Sequence, residues 1–295
     1  MHLSEASSIV PLTVLRDAAF ASLGFVTHRA EAMLVFLESE RFLEGLLANA
    51  NVSAVITTAD LAERLPGHLG VALSDFPRRD FYHLHNYLAE QTTFYWEDFP
   101  TEIAADAVIG PHVYIAPQNV RIGHRVVIEP HVTVLPHTII GDDVILRAGC
   151  VIGSQGFEFK RIGQTILAVA HAGGVRIGDR VEIQANSCVD RSIFGGFTEI
   201  GEDTKLDNLV HVAHNVKIGK RCLLAAHAMI AGSVTIGDDV WIGPSAAVSS
   251  EITIGDGASV TLGSVVTRNV AAGQRVTGNF AIDHDKFIAF LRTIR

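Results

Sequence analysis

The chain has 295 residues, 48% of them hydrophobic and 19% charged, which excludes intrinsic disorder and suffices for one large or two modest domains. Its 23 Lys and Arg residues stand against 32 Asp and Glu residues, so the formal net charge of -9 argues against nucleic acid or an anionic membrane as the main partner. No stretch approaches the ~18 uninterrupted apolar residues of a transmembrane helix. The N-terminus also lacks a signal-peptide pattern. We therefore expect a cytoplasmic protein.

Residues 1–100 show mixed helical and strand patterns. Runs compatible with helices cover residues 39–50 and 80–90, and the apolar segment Val52–Thr57 is typical of a buried strand. These patterns predict a small α/β domain, with the next domain beginning at residue 101.

An aliphatic residue recurs every six positions from Ile103 to Val266, with one extra residue before Ile122 and interruptions after residues 152 and 189. Neither a strand, with period two, nor a helix, with period 3.6, sustains a period of six. Three short flat segments per 18-residue coil do, and the 24 hexads predict eight coils of a parallel β-helix over residues 101–278. Small residues at the fifth position of each hexad would fill the interior.

The last segment, residues 279–295, alternates apolar residues such as Phe287, Phe290 and Leu291 with charged ones. This pattern predicts one short C-terminal helix.

Most of the 14 histidines and all three cysteines have an ordinary structural interpretation. His112 and His131 share one hexad position and are expected to stack as a surface ladder, because a zinc site needs three or four convergent ligands. Cys150 and Cys222 occupy the small inward position, and Cys188 is adjacent to one, so packing is favoured over reactivity. We expect no metal site and no disulfide framework.

The segment DNLVHVAHNVKI, residues 207–218, combines several titratable and polar side chains. The 18-residue coil places Gly232 directly one coil beyond His214. A neutral imidazole takes a proton from an amine, and a backbone N–H beside a glycine can approach a developing oxyanion. The pair suits acyl transfer, although spacing alone also allows a structural histidine.

The strings VIGSQGFEF, DNLVHVAHNVKIG and IAGSVTIGDDVWIG resemble the UDP-3-O-(3-hydroxyacyl)glucosamine N-acyltransferase family of lipid A assembly, over roughly residues 14–278. The resemblance implies a left-handed β-helix, a homotrimer, and transfer of an acyl group from an acyl carrier protein thioester to a UDP-amino sugar. It implies no resident cofactor, because the donor brings its own phosphopantetheine thioester on carrier protein or CoA.

The same resemblance assigns roles to residues of this chain. It implies that His214 is the general base, that the Gly232 amide is the oxyanion donor, and that Asp207 assists. Substrate-binding roles are implied for the following residues: Phe36 and Phe42 at the uracil, Gln155 and Phe157 at the sugar or acyl group, Asn215 beside the base, and Arg268 at the acyl carrier or its chain.

Three features depart from the family pattern. A second family histidine falls on Glu251, which we expect two coils beyond His214 and count among the candidate catalytic residues. A carboxylate can accept a proton or orient an amine, but it cannot donate a proton as imidazolium does at neutral pH. The N-terminal module begins late, and the C-terminal extension is short. These departures indicate a divergent member with another acceptor or a shorter or CoA-linked acyl group.

Three other function classes fit the same fold. One is an acetyl-CoA-dependent amino-sugar N-acetyltransferase of surface polysaccharide synthesis. Another is a zinc hydratase, which needs two histidines five positions apart that this chain lacks. The last is a non-catalytic scaffold, because stacked repeats make good binding surfaces.

Overall fold

The structure is a computed structural model that describes residues 1–278, 281 and 283–294. Its chain divides into two compact units. The first comprises residues 1–100, 155–174 and 191–197, and the second comprises residues 101–154, 175–190 and 198–295. The two interruptions of the hexad pattern thus group with the first unit, although the sequence-based division assigned them to 101–278. Segments that leave the six-residue period cannot continue the stacked coils.

The first unit contains a five-stranded sheet with the spatial order β1 (Thr13–Arg16), β5 (Gly70–Leu73), β4 (Val52–Thr57), β3 (Met33–Leu37) and β2 (Ser22–Leu23). Neighbouring strands are parallel except for β1 and β5. The predicted strand Val52–Thr57 is its central strand β4. The predicted helix over 39–50 is shorter, and the predicted run 80–90 lies inside a helix that begins at a proline, which the first helical turn tolerates. The elements are α1 Leu3–Ala6, β1 Thr13–Arg16, β2 Ser22–Leu23, β3 Met33–Leu37, a 3-10 turn Glu40–Phe42, α2 Leu43–Leu47, β4 Val52–Thr57, α3 Ala59–Ala62, β5 Gly70–Leu73 and α4 Pro77–Gln91.

The interrupting segments contribute to the apolar core of this unit. The strands Phe159–Ile162 and Thr165–Ala168 form an antiparallel hairpin. Val169 beside the hairpin, together with Ile193 and Phe194 from the second interruption, is buried in one cluster with Phe81 of α4. Burial of this apolar surface stabilises the unit by roughly 25 cal/mol per Å².

A buried histidine links α4 to the hairpin segment. His85 is fully buried, with Nδ1 2.8 Å from the Tyr95 hydroxyl and Nε2 2.8 Å from the Ala170 carbonyl oxygen. Because a carbonyl only accepts, Nε2 carries the proton and Nδ1 accepts from the tyrosine. Burial lowers the pKa of His85 to about 4, so the ring is neutral at pH 7.

The second unit is a three-sided parallel β-helix, which we call the prism, with eight strands in sheet 1, nine in sheet 2 and eight in sheet 3 among the described residues. The eight predicted coils are therefore present, followed by one additional strand in sheet 2. Sheet 1 contains Glu102–Ile103, Val120–Ile122, Thr138–Ile140, Gly174–Ile177, Phe197–Ile200, Lys217–Ile218, Thr235–Ile236 and Thr253–Ile254. Sheet 2 contains Val108–Ile109, Val127–Ile128, Ile145–Leu146, Glu182–Ile183, Lys205–Leu206, Leu223–Leu224, Trp241–Ile242, Ser259–Val260 and Arg275–Val276. Sheet 3 contains Tyr114–Ile115, Thr133–Val134, Val151–Ser154, Cys188–Asp190, His211–Val212, Met229–Ile230, Ala247–Val248 and Val265–Val266.

The hexad pattern corresponds to the inside of the prism. In the two-residue strands beyond the first coil the aliphatic hexad position, as in Ile230 and Val248, is buried, while its predecessor points outward. In the first coil, at the end of the prism, Ile103 and Ile109 are exposed. Cys150 and Cys222 at the fifth position are also buried, and burial raises the pKa of all three cysteine thiols, to about 11 for Cys150. The predicted packing interpretation is confirmed for these two cysteines.

The corners between sheets use left-handed backbone. Residues there include Asn215, Ser233 and Glu251, with φ of 62°, 62° and 61°. His112 and His131 occupy such positions too, and their rings stack 5.2 Å apart at 10°, so the predicted histidine ladder is confirmed.

The predicted C-terminal helix is present as α5, His284–Thr293, capped by the Asp283 carboxylate, which accepts from the N–H groups of Asp285 and Lys286. Within the predicted segment 279–295, residues 279, 280, 282 and 295 lie outside the described residues. None of the described helices has both the length and the apolar character needed to cross a bilayer.

The His85 environment predicts an acid-sensitive component of stability. Between the unfolded pKa of 6.5 and the folded value of about 4, only the unfolded state binds the proton. The free energy of unfolding should therefore contain about 3 kcal/mol that is present above pH 6.5 and lost as the pH falls towards 4. Denaturant titrations of wild type and His85→Gln across this range measure it. The variant should show a shallower decline, and equal slopes would contradict the assignment.

Candidate functional site

Two corners of the prism are closed by side chains that cap backbone N–H groups. At the corner from sheet 1 to sheet 2, an aspartate carboxylate accepts from the N–H one coil earlier, as Asp238 does from Lys220 and Asp256 does from Asp238, each at 2.8 Å. At the corner from sheet 2 to sheet 3, Asp207 accepts from the Ala226 N–H at 3.1 Å. These caps satisfy donors that coil stacking leaves without a carbonyl partner.

The corner from sheet 3 to sheet 1 differs at Gly232. This residue is buried, and within the described part of the chain its N–H donates to no protein acceptor. A buried backbone N–H without a partner is rare, because losing its bond to water is costly. This donor is therefore available for a ligand oxygen.

His214 lies against the same glycine. A Cβ added to Gly232 would lie 2.4 Å from His214 Cε1 and 2.8 Å from Nε2, closer than any side chain tolerates. The ring thus occupies the space that the missing side chain leaves. The predicted juxtaposition of His214 and Gly232, one coil apart, is present.

Asn215 orients the His214 ring. Its side-chain Oδ1 is 3.1 Å from His214 Nδ1, and its N–H donates to the Thr198 hydroxyl oxygen at 2.9 Å. An amide oxygen accepts, so Nδ1 carries the proton and the lone pair of a neutral ring lies on Nε2. His214 is half-buried. The arrangement holds a base and an oxyanion donor side by side.

Asp207 does not bond to His214, Asn215 or Gly232 among the described contacts. Its carboxylate bonds to the backbone and side-chain amides of Asn208 and to the Ala226 N–H, at the corner before the one that carries His214. The structure gives it a capping role, and a catalytic role remains a prediction.

The expected position of Glu251 is wrong by one residue. Strand register pairs Val212 with Ile230 and Ile230 with Val248, so the residue two coils beyond His214 is Ser250. Glu251 is exposed and belongs to the left-handed column of Asn215, and its N–H donates to the Gly232 carbonyl at 3.1 Å. Glu251 is 37 positions after His214, whereas two coils contain 36 residues.

Arg268 is exposed in the corner that follows the last strand of sheet 3, Val265–Val266. Its predicted role at the acyl donor stays a prediction.

The predicted substrate residues of the first unit have contrasting surroundings. Phe36 is half-buried on β3, with ring centroids 5.1 Å from Phe81 and 5.9 Å from Tyr82. Phe42 is 51% exposed, and the Arg41 guanidinium lies 5.4 Å from its ring centroid. Phe36 therefore has the core-packing role that its pattern alone favours, while Phe42 offers a ring face to a ligand.

Gln155 and Phe157 precede the hairpin of the first unit, and both are exposed. Phe157 is 88% exposed and meets the Phe159 ring edge-on, with centroids 4.9 Å apart. An aromatic pair this exposed suits a ligand contact.

The family resemblance implied the Gly232 amide as the oxyanion donor, but it did not predict that this N–H lacks a capping side chain among the described residues. The signal that was available is the IGD triplet: an aspartate follows glycine at several sheet 1 to sheet 2 corners, such as residues 236–238 and 254–256, while the corners around His214 and Gly232 read AHN and AGS.

Replacing Gly232 with alanine should displace the His214 imidazole while leaving the fold intact, because the glycine φ is compatible with alanine and only the ring must move. The ring-proton resonances of His214 in an NMR spectrum should shift. Gly67→Ala is the matched control, since a Cβ there meets nothing within 4 Å. Unchanged His214 resonances in Gly232→Ala would contradict the observed contact.

Family models match parts of the prism. The bacterial transferase hexapeptide (six repeats) matches residues 119–154 and 197–232, and the hexapeptide repeat of succinyl-transferase matches residues 233–268.

Two curated relatives are named as the same kind of enzyme. The chain is 51% identical over 160 residues to UDP-3-O-acylglucosamine N-acyltransferase 2 of Legionella pneumophila, covering 53% of this chain and 46% of the relative. It is 48% identical over 99 residues to the UDP-3-O-acylglucosamine N-acyltransferase of Caulobacter vibrioides, covering 34% of this chain and 29% of the relative. The matches thus span less than half the length of these relatives.

Solved structures share the fold. A UDP-N-acetylglucosamine acyltransferase from Campylobacter jejuni superposes with a TM-score of 0.54 at 22% identity, covering 66% of this chain and 79% of its own. The enzyme of the same name from Francisella novicida gives 0.55 at 24% identity, covering 60% and 63%. The expected left-handed parallel β-helix is confirmed. The chain therefore contains hexapeptide repeats and is similar to the UDP-3-O-acylglucosamine N-acyltransferases, as its motifs indicated.

Proposed function

We propose that the protein is an N-acyltransferase that moves an acyl group, a 3-hydroxyacyl group by resemblance, from a thioester to the amine of a UDP-glucosamine-type nucleotide in lipid A biosynthesis. The observation that carries the proposal is the His214 imidazole packed on Gly232, whose buried N–H has no protein acceptor in the described chain. The names of the curated relatives support the same reaction.

The proposed transfer balances every proton. The sugar amine attacks the thioester carbonyl carbon, and His214 Nε2 takes the proton that the amine loses. The carbonyl oxygen becomes an oxyanion that accepts from the Gly232 N–H. When the C–S bond breaks, the imidazolium returns its proton to the leaving thiolate, which regenerates the neutral base.

Asn215 supports both halves of this cycle. Its Oδ1 accepts from His214 Nδ1 and keeps the lone pair on Nε2 while the ring is neutral. The same oxygen stabilises the positive ring after proton transfer. Direct transfer of this kind needs no metal and no resident cofactor.

The remaining partners are proposals as well. The acyl donor is a phosphopantetheine thioester on acyl carrier protein, or on CoA, with Arg268 as a candidate contact for it. Exposed Phe42 is the better placed of the two predicted uracil contacts. A cytoplasmic location also belongs to this proposal.

We expect a homotrimer, by resemblance to related β-helix enzymes. The outward face of sheet 3 presents apolar side chains that a neighbouring subunit would cover, including Tyr114, Met229 and Val265. Light scattering coupled to size exclusion should give three times the chain mass of 31.7 kDa. A monomer mass at micromolar concentration would exclude the trimer.

His214→Ala should lower the transfer rate by about 100- to 10,000-fold, the usual contribution of a general base, with folding unchanged. The assay incubates the protein with UDP-amino sugars and acyl thioesters on carrier protein or on CoA, and detects the product by mass. His124→Ala is the matched control, because this exposed histidine hydrogen-bonds to Asp106 and lies 90 positions before His214 in the sequence. A near-normal rate in folded His214→Ala would exclude His214 as the base.

A further inference from the structure

A second polar cluster lies on sheet 3 and takes no part in the proposed reaction. It contains Ser154, Cys188, Asp190 and His211 from three successive strands. Strand register pairs Ser154 with Asp190 and Cys188 with His211. Residues 188 and 190 point to the same face because side chains alternate along a strand. Coil stacking therefore converges four polar side chains that are distant in sequence.

The donor atoms of three of these side chains have the spacing of metal ligands. The sulfur of Cys188, a carboxylate oxygen of Asp190 and a ring nitrogen of His211 all lie within 4.8 Å of one another. Cys188 Sγ is 3.6 Å from Asp190 Oδ1, and His211 Nε2 is 3.6 Å from Asp190 Oδ2. Ligands bound tetrahedrally to zinc lie about 3.3–3.7 Å apart, given the usual bond lengths.

The charge of Asp190 is not balanced by a basic residue. Its side chain is only 5% exposed, and no Lys or Arg of the described residues forms an ion pair with it. Oδ1 accepts from the Ser154 hydroxyl at 2.7 Å, which is a neutral donor. Oδ2 faces His211 at a distance beyond that of a hydrogen bond. A buried carboxylate without an opposite charge is costly, and a cation at this point removes the cost.

We propose that Cys188, Asp190 and His211 bind a divalent metal ion of the zinc type. A thiolate and an imidazole select such an ion over Mg²⁺ or Ca²⁺, which prefer oxygen ligands. Three protein ligands leave a fourth position for water or a ligand atom. Ser154 holds the carboxylate from outside, as hydrogen-bond donors commonly do for metal-bound carboxylates. On binding, the Cys188 thiol releases its proton to solvent and becomes a thiolate ligand.

The test is a Co²⁺ titration of the full chain after treatment with a chelator, because Co²⁺ replaces Zn²⁺ and reports its ligands by absorption. We expect one Co²⁺ per chain with a thiolate-to-cobalt charge-transfer band that added Zn²⁺ abolishes. Cys188→Ser should lose the band, while Cys222→Ser, which removes a buried thiol elsewhere, should keep it. Binding to the stacked His112 and His131 would give no such band.

No thiolate band in the wild type, or a band that survives Cys188→Ser, overturns the proposal. If circular dichroism shows that Cys188→Ser does not fold, His211→Gln and Asp190→Asn decide instead, and unchanged Co²⁺ affinity in both overturns it. Ser154→Ala should weaken Co²⁺ binding by about 10- to 100-fold. None of these readouts depends on acyl transfer, so failure of the metal-site proposal and failure of the proposed reaction can be told apart.

Discussion

Hydrogen bonds between one coil and the next govern the whole prism. The Ala213 N–H donates to the Ile230 carbonyl, and the Ala231 N–H donates to the Val248 carbonyl, so uninterrupted coils repeat every 18 residues. Each side chain consequently has a known neighbour above and below it. Core packing, the corner caps and the contact between His214 and Gly232 are all consequences of this spacing. The extra residue before Ile122 lengthens one coil, so that Val108 pairs with Val127, and the next coil returns to the 18-residue step between Val127 and Ile145.

The three corners divide stability and chemistry between them. Aspartates such as Asp238 and Asp256 satisfy backbone donors at one corner, and Asp207 does so at the next. At the corner of Gly232, by contrast, a buried backbone donor has no protein acceptor among the described residues. In the proposed reaction, the missing cap on the Gly232 N–H is as important as the imidazole of His214.

The sequence predicted those features that depend on local period. The hexads predicted the coils, the apolar run Val52–Thr57 predicted a central strand, and the 18-residue step placed Gly232 beside His214. Local period also explains the error at Glu251, because one residue of miscounting moves a side chain to the neighbouring column.

Other features were beyond local reasoning. Cys188 and His211 are 23 positions apart, because the second interruption lies between them, so the 18-residue rule does not pair them. The burial of His85 depends on Tyr95 and Ala170, which no pattern around residue 85 indicates. Long-range contacts of this kind depend on how the interrupting segments pack, and the residues of those segments carry no periodic signal.

Left-handed corner residues have an evolutionary consequence. Asn215, Ser233 and Glu251 all adopt φ near 60°, a conformation that excludes β-branched side chains but accepts small polar, acidic and basic ones. These positions therefore require a residue that tolerates positive φ, but they place few limits on the polarity or charge of its side chain. Substitutions in such columns can therefore replace one ligand-contacting side chain at a time, and related chains can change their specificity without changing their fold.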